Sequence, residues 1–119
     1  MINQWNAGFF IGKYFEMFAI QGENEKSVVG TISLYEHSKS IISIGPDIFK
    51  EYRQRGFAKA AMAEAMIVAK QKKYEIVLQQ IRTDNHASIR LHESLGFERD
   101  DYVYKNIKGN EVYIYLKII

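Results

Sequence analysis

The chain has 119 residues, 47% of them apolar and 25% charged, with a net charge of +2. That suits one globular domain with a single core and is too little positive charge for a nucleic-acid binder. There is no cysteine, which excludes disulfides, thiolate metal sites and a cysteine nucleophile, and the three histidines (His37, His86, His92) show no metal-ligand spacing.

Residues 1 to 12 carry Trp5, Phe9, Phe10 and Ile11 and read as a short helix or an irregular arm. Tyr14 to Gln21 is rich in strand formers, Gly22-Glu23-Asn24-Glu25 reads as a turn, and Ser27 to Tyr35 as the next strand, so a hairpin is expected. After a polar break at Glu36 to Lys39, a third strand runs from Ser40 to Ile44. Pro46, the only proline, interrupts it and predicts an edge or a bulge that pushes neighbouring strands apart. Phe57 to Lys73 is the clearest helix, with Ala58, Ala61, Met62, Ala65, Met66 and Ala69 at helical spacing. Glu75 to Arg82 reads as a fourth strand. Thr83-Asp84-Asn85 caps a second helix that runs to Leu95, with Gly96 as its stop and Ala87, Leu91 and Leu95 expected to face the core. An extended segment from Phe97 to Ile107, a turn at Lys108-Gly109-Asn110 and a period-2 strand from Val112 to Ile119 complete the order β-β-β-α-β-α-β-β. The crossover through the long helix implies one parallel pair in an otherwise antiparallel mixed sheet.

One turn stands out chemically: Arg53-Gln54-Arg55-Gly56-Phe57-Ala58, basic and glycine-centred, leading into the long helix. Gly56 adopts backbone shapes other residues resist and lets a ligand come close. The unpaired N–H groups at a helix start, and the helix dipole, favour a phosphate there, with Arg53 and Arg55 adding positive charge. No apolar run approaches the ~18 residues of a membrane helix. The N-terminus lacks a basic stretch followed by an apolar core, so the expected setting is the cytoplasm, with no membrane partner.

A second segment, Asn85-His86-Ala87-Ser88-Ile89-Arg90-Leu91-His92-Glu93-Ser94-Leu95-Gly96-Phe97, supports the first. Together they resemble the GCN5-related N-acetyltransferase (GNAT) superfamily. In that family an Arg/Gln-x-x-Gly-x-Gly/Ala turn binds the pyrophosphate of acetyl-CoA, and Arg53, Gly56 and Ala58 match it. A later helix, Asn-x-x-(Ala/Ser)-x-x-Leu-Tyr-x-x-x-Gly-Phe, lies beside the cofactor arm, and Asn85, Ser88, Leu91, Leu95, Gly96 and Phe97 match that. The resemblance covers roughly residues 14 to 119 and implies the acyl-CoA N-acyltransferase-like fold: a mixed, mostly antiparallel, splayed sheet with two main helices. It implies one domain, with 1–13 as an arm and 14–119 as the acetyl-CoA-binding core.

The resemblance also implies site roles. Gln54, Arg55, Gly56, Phe57, Ala58 and Lys59 would cradle the pyrophosphate with their backbone N–H groups. Pro46, Asp47 and Ile48 would offer backbone groups of a bulged strand to the pantetheine arm, and Asn85 and Ser88 would face the cofactor from the second helix. Asn85 can serve equally as a plain helix cap. The expected reaction is direct attack of a primary amine, of a small molecule or a peptide, on the thioester, in a ternary complex.

Three departures qualify this. The family usually has tyrosine where this chain has His92, so His92 is the candidate proton donor to the departing thiolate or a replacement with no chemical role. Positions where some members carry a glutamate base correspond here to Gln80 and Ser43; Glu16, Glu36, His37 and Asp47 remain as bases acting through a water. Too few residues precede Tyr14 for the family's opening strand and helices, so the acceptor side is expected to be open, curtailed or completed by a partner. An exposed first strand would also invite a homodimer, with Trp5, Phe9 and Phe10 as candidate contacts. A non-catalytic CoA-binding or regulatory module is the alternative reading. A small nucleic-acid-binding domain using Lys70 to Lys73 is disfavoured by the near-neutral charge.

Overall fold

The computed structural model describes residues 2–10 by their backbone course and residues 13–22 and 26–119 in full. Among these lie seven strands: β1 (Ile2–Phe10), β2 (Lys13–Gln21), β3 (Val28–Glu36), β4 (Ile41–Ile48), β5 (Ile76–Arg82), β6 (Glu98–Lys105) and β7 (Glu111–Ile118). Two helices, α1 (Phe57–Gln71) and α2 (His86–Ser94), and a 3-10 turn over Lys50–Tyr52 complete the described elements. The strands form one sheet in the order β1-β2-β3-β4-β5-β7-β6, antiparallel except for β4 and β5. This is the mixed, mostly antiparallel α+β sheet that the sequence predicts.

Several local expectations are corrected. Residues 2 to 10 are a strand, not a helix or arm: β1 pairs antiparallel with β2 from Ile2↔Ile20 to Phe10↔Lys13. Asn3, Asn6 and Gly8 are poor strand formers, and the free edge of β2 supplies the pairing that local propensity does not announce. That edge, on which a homodimer was expected, is therefore covered, and β1 and β6 are the outer strands. The side chains of Trp5, Phe9 and Phe10, and residues 23–25 of the first predicted turn, lie outside what the structure describes.

β4 does not stop at Pro46. It continues to Ile48 in unbroken register with β3, from Glu36↔Ile42 to Gly30↔Ile48, without a bulge. Phe49 N–H donates to Val29 C=O at 2.9 Å, so the odd-numbered residues of this stretch bond to β3 and the even-numbered ones face away. Pro46, which has no N–H to offer, sits on the side where no strand asks for one. The sheet splays for another reason: β4 and β5 pair only at Ile41↔Ile76 and Ile42↔Val77 and then part.

α1 packs across β3 and β4 with Ala61, Met62, Ala65, Met66 and Ala69 buried, as its spacing predicts. Its small residues bring the helix close to Ile32, Leu34, Ile42 and Ile44 of the core. α2 departs from expectation. Its buried residue is His92, 3% exposed, while Ala87 is exposed and Leu91 half-buried. β7 is the alternating strand foreseen, yet Tyr115 is fully buried and Leu116 and Ile118 are exposed.

Candidate active site

The parting of β4 and β5 leaves two adjoining concavities. The larger, about 560 Å³, is lined by Pro46, Asp47 and Ile48 of β4, by Tyr52, Arg53, Gln54, Gly56, Phe57, Ala58 and Lys59 around the start of α1, and by Asn85, Ala87, Ser88 and Leu91 around the start of α2. The smaller, about 400 Å³, shares Pro46 and Ser88 with it and continues over Tyr35, His37, Ser43, Gln79, Gln80 and His92. Every cofactor residue expected from the sequence except Arg55 lines the larger concavity, and His92 lines the smaller.

At the start of α1 the backbone does what a phosphate cradle requires. Gly56 is the N-cap residue, at φ 83° and ψ 3°, and no side chain caps the first turn. Gln54 also has positive φ, 63°. Two left-handed residues two apart turn the chain so that the first N–H groups of α1, which have no partner within the helix, open toward the cleft. A Cβ on Gly56 would meet nothing within 4 Å, so glycine is needed there for its backbone angle and not for room.

Both arginines make contacts around the turn. Arg53 donates from Nε to Ile48 C=O at 2.9 Å, which ties the turn to the end of β4. The Arg55 guanidinium lies 5.1 Å from the Phe57 ring centroid and 5.8 Å from that of Tyr52. Both arrangements keep positive charge beside the helix start. Tyr52, which lines the cleft, was not singled out in the sequence, where an aromatic before a basic turn carries no distinguishing signal.

Asn85 caps α2: its Oδ1 accepts from Ser88 N–H at 3.2 Å. The cap uses the carbonyl oxygen and leaves the amide Nδ2 at the cleft wall, so capping and ligand contact are compatible.

The seam between the strands is bridged by a residue that the sequence reading missed. Gln79 of β5 accepts from Ile44 N–H through Oε1 at 2.9 Å and donates from Nε2 to Ile44 C=O at 2.5 Å. The same Nε2 approaches His92 Nε2 at 3.1 Å. Its signal was available: Gln79 is polar at the inward position of the alternation Val77, Gln79, Ile81.

Those partners fix the state of His92. Its Nδ1 lies 2.7 Å from Ser88 C=O, which can only accept, so Nδ1 carries the proton. Nε2 is then the acceptor for the Gln79 amide. Burial pushes the imidazole pKa down, against the opposing Ser88 bond. Phe97 meets the ring edge-on at 4.9 Å. His92 is thus neutral, with both nitrogens engaged, and this arrangement directs no His92 proton into the chamber.

The candidate bases separate clearly. Glu16 accepts from Tyr14 and lies 3.9 Å from Lys72, and Glu36 accepts from Tyr74 O–H at 2.5 Å; neither lines the cleft. Asp47 lines the larger concavity, beside the α1 turn. His37 lines the smaller one, with Ser43.

A sheet split beside a parallel pair, with a left-handed turn and helix start on one wall and a capped helix on the other, is the acyl-CoA N-acyltransferase fold. The sequence profile described as Acetyltransferase (GNAT) domain matches residues 2–98. The chain belongs to that family. It is 30% identical over 99 residues to the SPbeta prophage-derived N-acetyltransferase YokL of Bacillus subtilis, a match that covers 78% of this chain and 53% of that protein. The chain thus spans about half the length of that curated relative. Among solved structures, a GNAT-family acetyltransferase of Bacillus anthracis superposes with a TM-score of 0.76 at 24% identity, over 86% of this chain and 65% of the other. A GNAT-family acetyltransferase of Elizabethkingia anophelis, solved with acetyl-CoA bound, superposes with a TM-score of 0.68 at 14% identity, over 86% of this chain and 73% of the other. At these identities the structures establish the fold. Among the described residues no helix is long and apolar enough to cross a membrane.

Proposed function

We propose that this chain is an acetyl-CoA-dependent N-acetyltransferase acting on a primary amine. The observation that carries the reading is the meeting, in one cleft of about 560 Å³, of the α1 turn, the unpaired side of β4 and the capped start of α2. The residues suit the donor. The N–H groups of Phe57, Ala58 and Lys59 match a pyrophosphate in geometry and dipole. With Ile44 taken by Gln79 and Ile48 C=O by Arg53, Pro46 C=O and Ile48 N–H remain on the side of β4 that faces the cleft, where an amide-bearing arm can pair in the manner of an added strand. Asn85 and Ser88 offer polar contacts from α2. When bound, acetyl-CoA supplies the activated acetyl group; the chain holds it and shields it in the seam.

The smaller chamber receives the acceptor in this reading. Direct attack in a ternary complex fits the geometry, since the two concavities adjoin at Pro46 and Ser88 and the chain has no cysteine nucleophile. A small molecule or an exposed peptide amine fits a chamber of about 400 Å³. His92 supports the seam through Gln79 in this scheme, and proton donation from it requires the Gln79 contact to break. The engaged state of His92 is the one observation that favours the second reading, a CoA-binding module without turnover.

Calorimetric titration with acetyl-CoA, beside a Gly56→Asp variant, tests the assignment. Binding is expected for the parent and a loss of at least about tenfold for the variant, because any Cβ at positive φ costs about 1–2 kcal/mol and the carboxylate repels phosphate. No binding by the parent removes the reading. Binding without release of CoA thiol for any amine favours the module.

A further inference from the structure

The chamber that receives the acceptor has polar lining but, among the described residues that line it, no carboxylate and no lysine or arginine. Its titratable groups are Tyr35 and His37 from the β3 end, and His92 from α2; from β4 and β5 the facing polar groups are Ser43, Gln79 and Gln80. His92 has both nitrogens occupied. His37 does not. Its Nε2 lies 2.6 Å from Ser43 Oγ, and Ser43 spends its own proton on Leu78 C=O. The serine oxygen can therefore only accept from the ring, which places the imidazole proton on Nε2 and leaves the Nδ1 lone pair unprotonated. Nδ1 has no hydrogen-bond partner among the described residues.

The backbone holds this imidazole in place. His37 N–H donates to Ile41 C=O at 2.8 Å within the tight β3–β4 turn, and Tyr35 packs edge-on to the ring at 5.7 Å. Ser43 sits across from Tyr35 in the register and is 3% exposed, so the group that orients the ring is itself fixed. A buried hydroxyl bound to a carbonyl and turned toward a histidine sets the tautomer of that histidine, as a carboxylate does elsewhere.

We propose that His37 is the general base of the acetyl transfer and that Ser43 is its positioning residue. The inference rests on the acetyltransferase reading above. As the amine nitrogen bonds to the acetyl carbon, the carbon–sulfur bond breaks and the CoA thiolate leaves with that electron pair. One N–H proton of the amine passes to His37 Nδ1, directly or through one water, and is returned to the thiolate or to solvent. The products are the amide and CoA thiol. An uncharged chamber whose base is an imidazole favours an acceptor whose amine gives up its proton easily, such as a peptide α-amine, over a polycation.

The test uses the full chain, acetyl-CoA and four amines: an alanine-initiated peptide, a lysine-containing peptide, spermidine and kanamycin. CoA thiol release is followed from pH 5.5 to 9.5 for the parent, His37→Gln, Ser43→Ala and His92→Gln. We expect kcat/KM to fall about 100-fold in His37→Gln, within the ordinary range for general base catalysis, with acetyl-CoA binding unchanged by calorimetry. Ser43→Ala should lose about tenfold in rate. Nitrogen NMR of the His37 ring should report protonated Nε2 and bare Nδ1 in the parent, and a mixture in Ser43→Ala. A His37→Gln enzyme within threefold of the parent overturns the proposal, as does a His37 ring protonated at Nδ1. Failure of every amine while acetyl-CoA still binds overturns the transferase reading together with the base, whereas the NMR result bears on the base alone.

Discussion

Gln79 does with one side chain what a neighbouring strand would do with its backbone. Beyond Ile42↔Val77 the β4–β5 ladder is broken, and Ile44 would have a buried N–H and C=O without partners. The Gln79 carboxamide meets both and has one N–H left for His92. Each buried group left unpaired costs roughly 1–3 kcal/mol. Gln79→Leu orphans two of them and removes the donor to His92 Nε2, so it should lower stability by about 2–4 kcal/mol, measured by urea denaturation. Gln79→Glu can accept from Ile44 N–H but, ionised, has nothing to donate to Ile44 C=O, and it buries a charge; it should be worse than Gln79→Leu. A glutamate variant as stable as the parent removes the bridge from the account. At this scale the sequence was partly legible. Gly56 and Asn85 could be placed from residue type and spacing, because a left-handed turn and a helix cap are local chemistry. Gln79 as a bridge, and Ser43 beside His37, join residues 35 and 6 positions apart, and no local pattern encodes the partner.

Among the elements, β4 positions the site, and its two glycine neighbourhoods make a contrasting pair. A Cβ on Gly30 of β3 would stand 2.3 Å from Asp47 C=O and 2.9 Å from Ile48 Cα, both backbone atoms that cannot swing away. Gly30→Ala should push the cleft end of β4 outward, costing about 2–3 kcal/mol and weakening acetyl-CoA binding in parallel. A Cβ on Gly45 would meet nothing within 4 Å, and Gly45 lines the smaller chamber. Gly45→Ala should leave the melting temperature within about a degree or two, as an unstrained substitution does, while the new methyl raises the KM of the acceptor. Equal destabilisation by the two variants would mean that close approach of β3 and β4 is not what Gly30 secures. Elements whose identity lies in their own periodicity, α1 above all, were legible from the sequence. Those decided by what packs against them were not. The orientation of α2 follows from His92 seating against Phe97, within 6.2 Å of Tyr115, which turns Ala87 and Leu91 to the cleft. β1 exists because β2 offers it an edge. Pro46 was rightly read as a sign that one side of its strand lacks a partner, but the strand needed no bulge to achieve that.

The whole molecule is one sheet in two halves, β1 to β4 with α1 and β5 to β7 with α2, and the cleft is the seam between them. Besides the two paired positions of β4 and β5 and a hydrophobic core that runs from Ile42 and Ile44 to Val77, Ile81, Phe97 and Tyr115, the halves are tied by polar contacts. The N–H groups of Glu75 and Ile76 both reach Ser40 C=O, Tyr74 bonds Glu36, Ser43 bonds Leu78 and Gln79 bonds Ile44. His92 completes this set from behind Gln79 and is held neutral by burial. Its lowered pKa makes stability depend on pH with a definite sign. Above the unperturbed imidazole value of about 6.5 the ring is neutral in both folded and unfolded chains and its contribution is complete. As pH falls below that value the unfolded chain takes up a proton that the folded ring resists, so stability is lost until pH passes the lower folded value. A protonated His92 would also turn Nε2 from acceptor to donor, against the Gln79 amide, and strain the seam itself. The measurement is urea denaturation of the parent and of His92→Phe at half-unit steps from pH 8 to 5. His37 and His86 are common to both proteins and cancel in the difference. The parent should lose stability relative to His92→Phe below about pH 6.5, and saturating acetyl-CoA should raise the stability of the parent at every pH by binding across both halves. A difference that stays flat over this range means that His92 is free to charge in the folded protein, and its place in the seam would then have to be withdrawn.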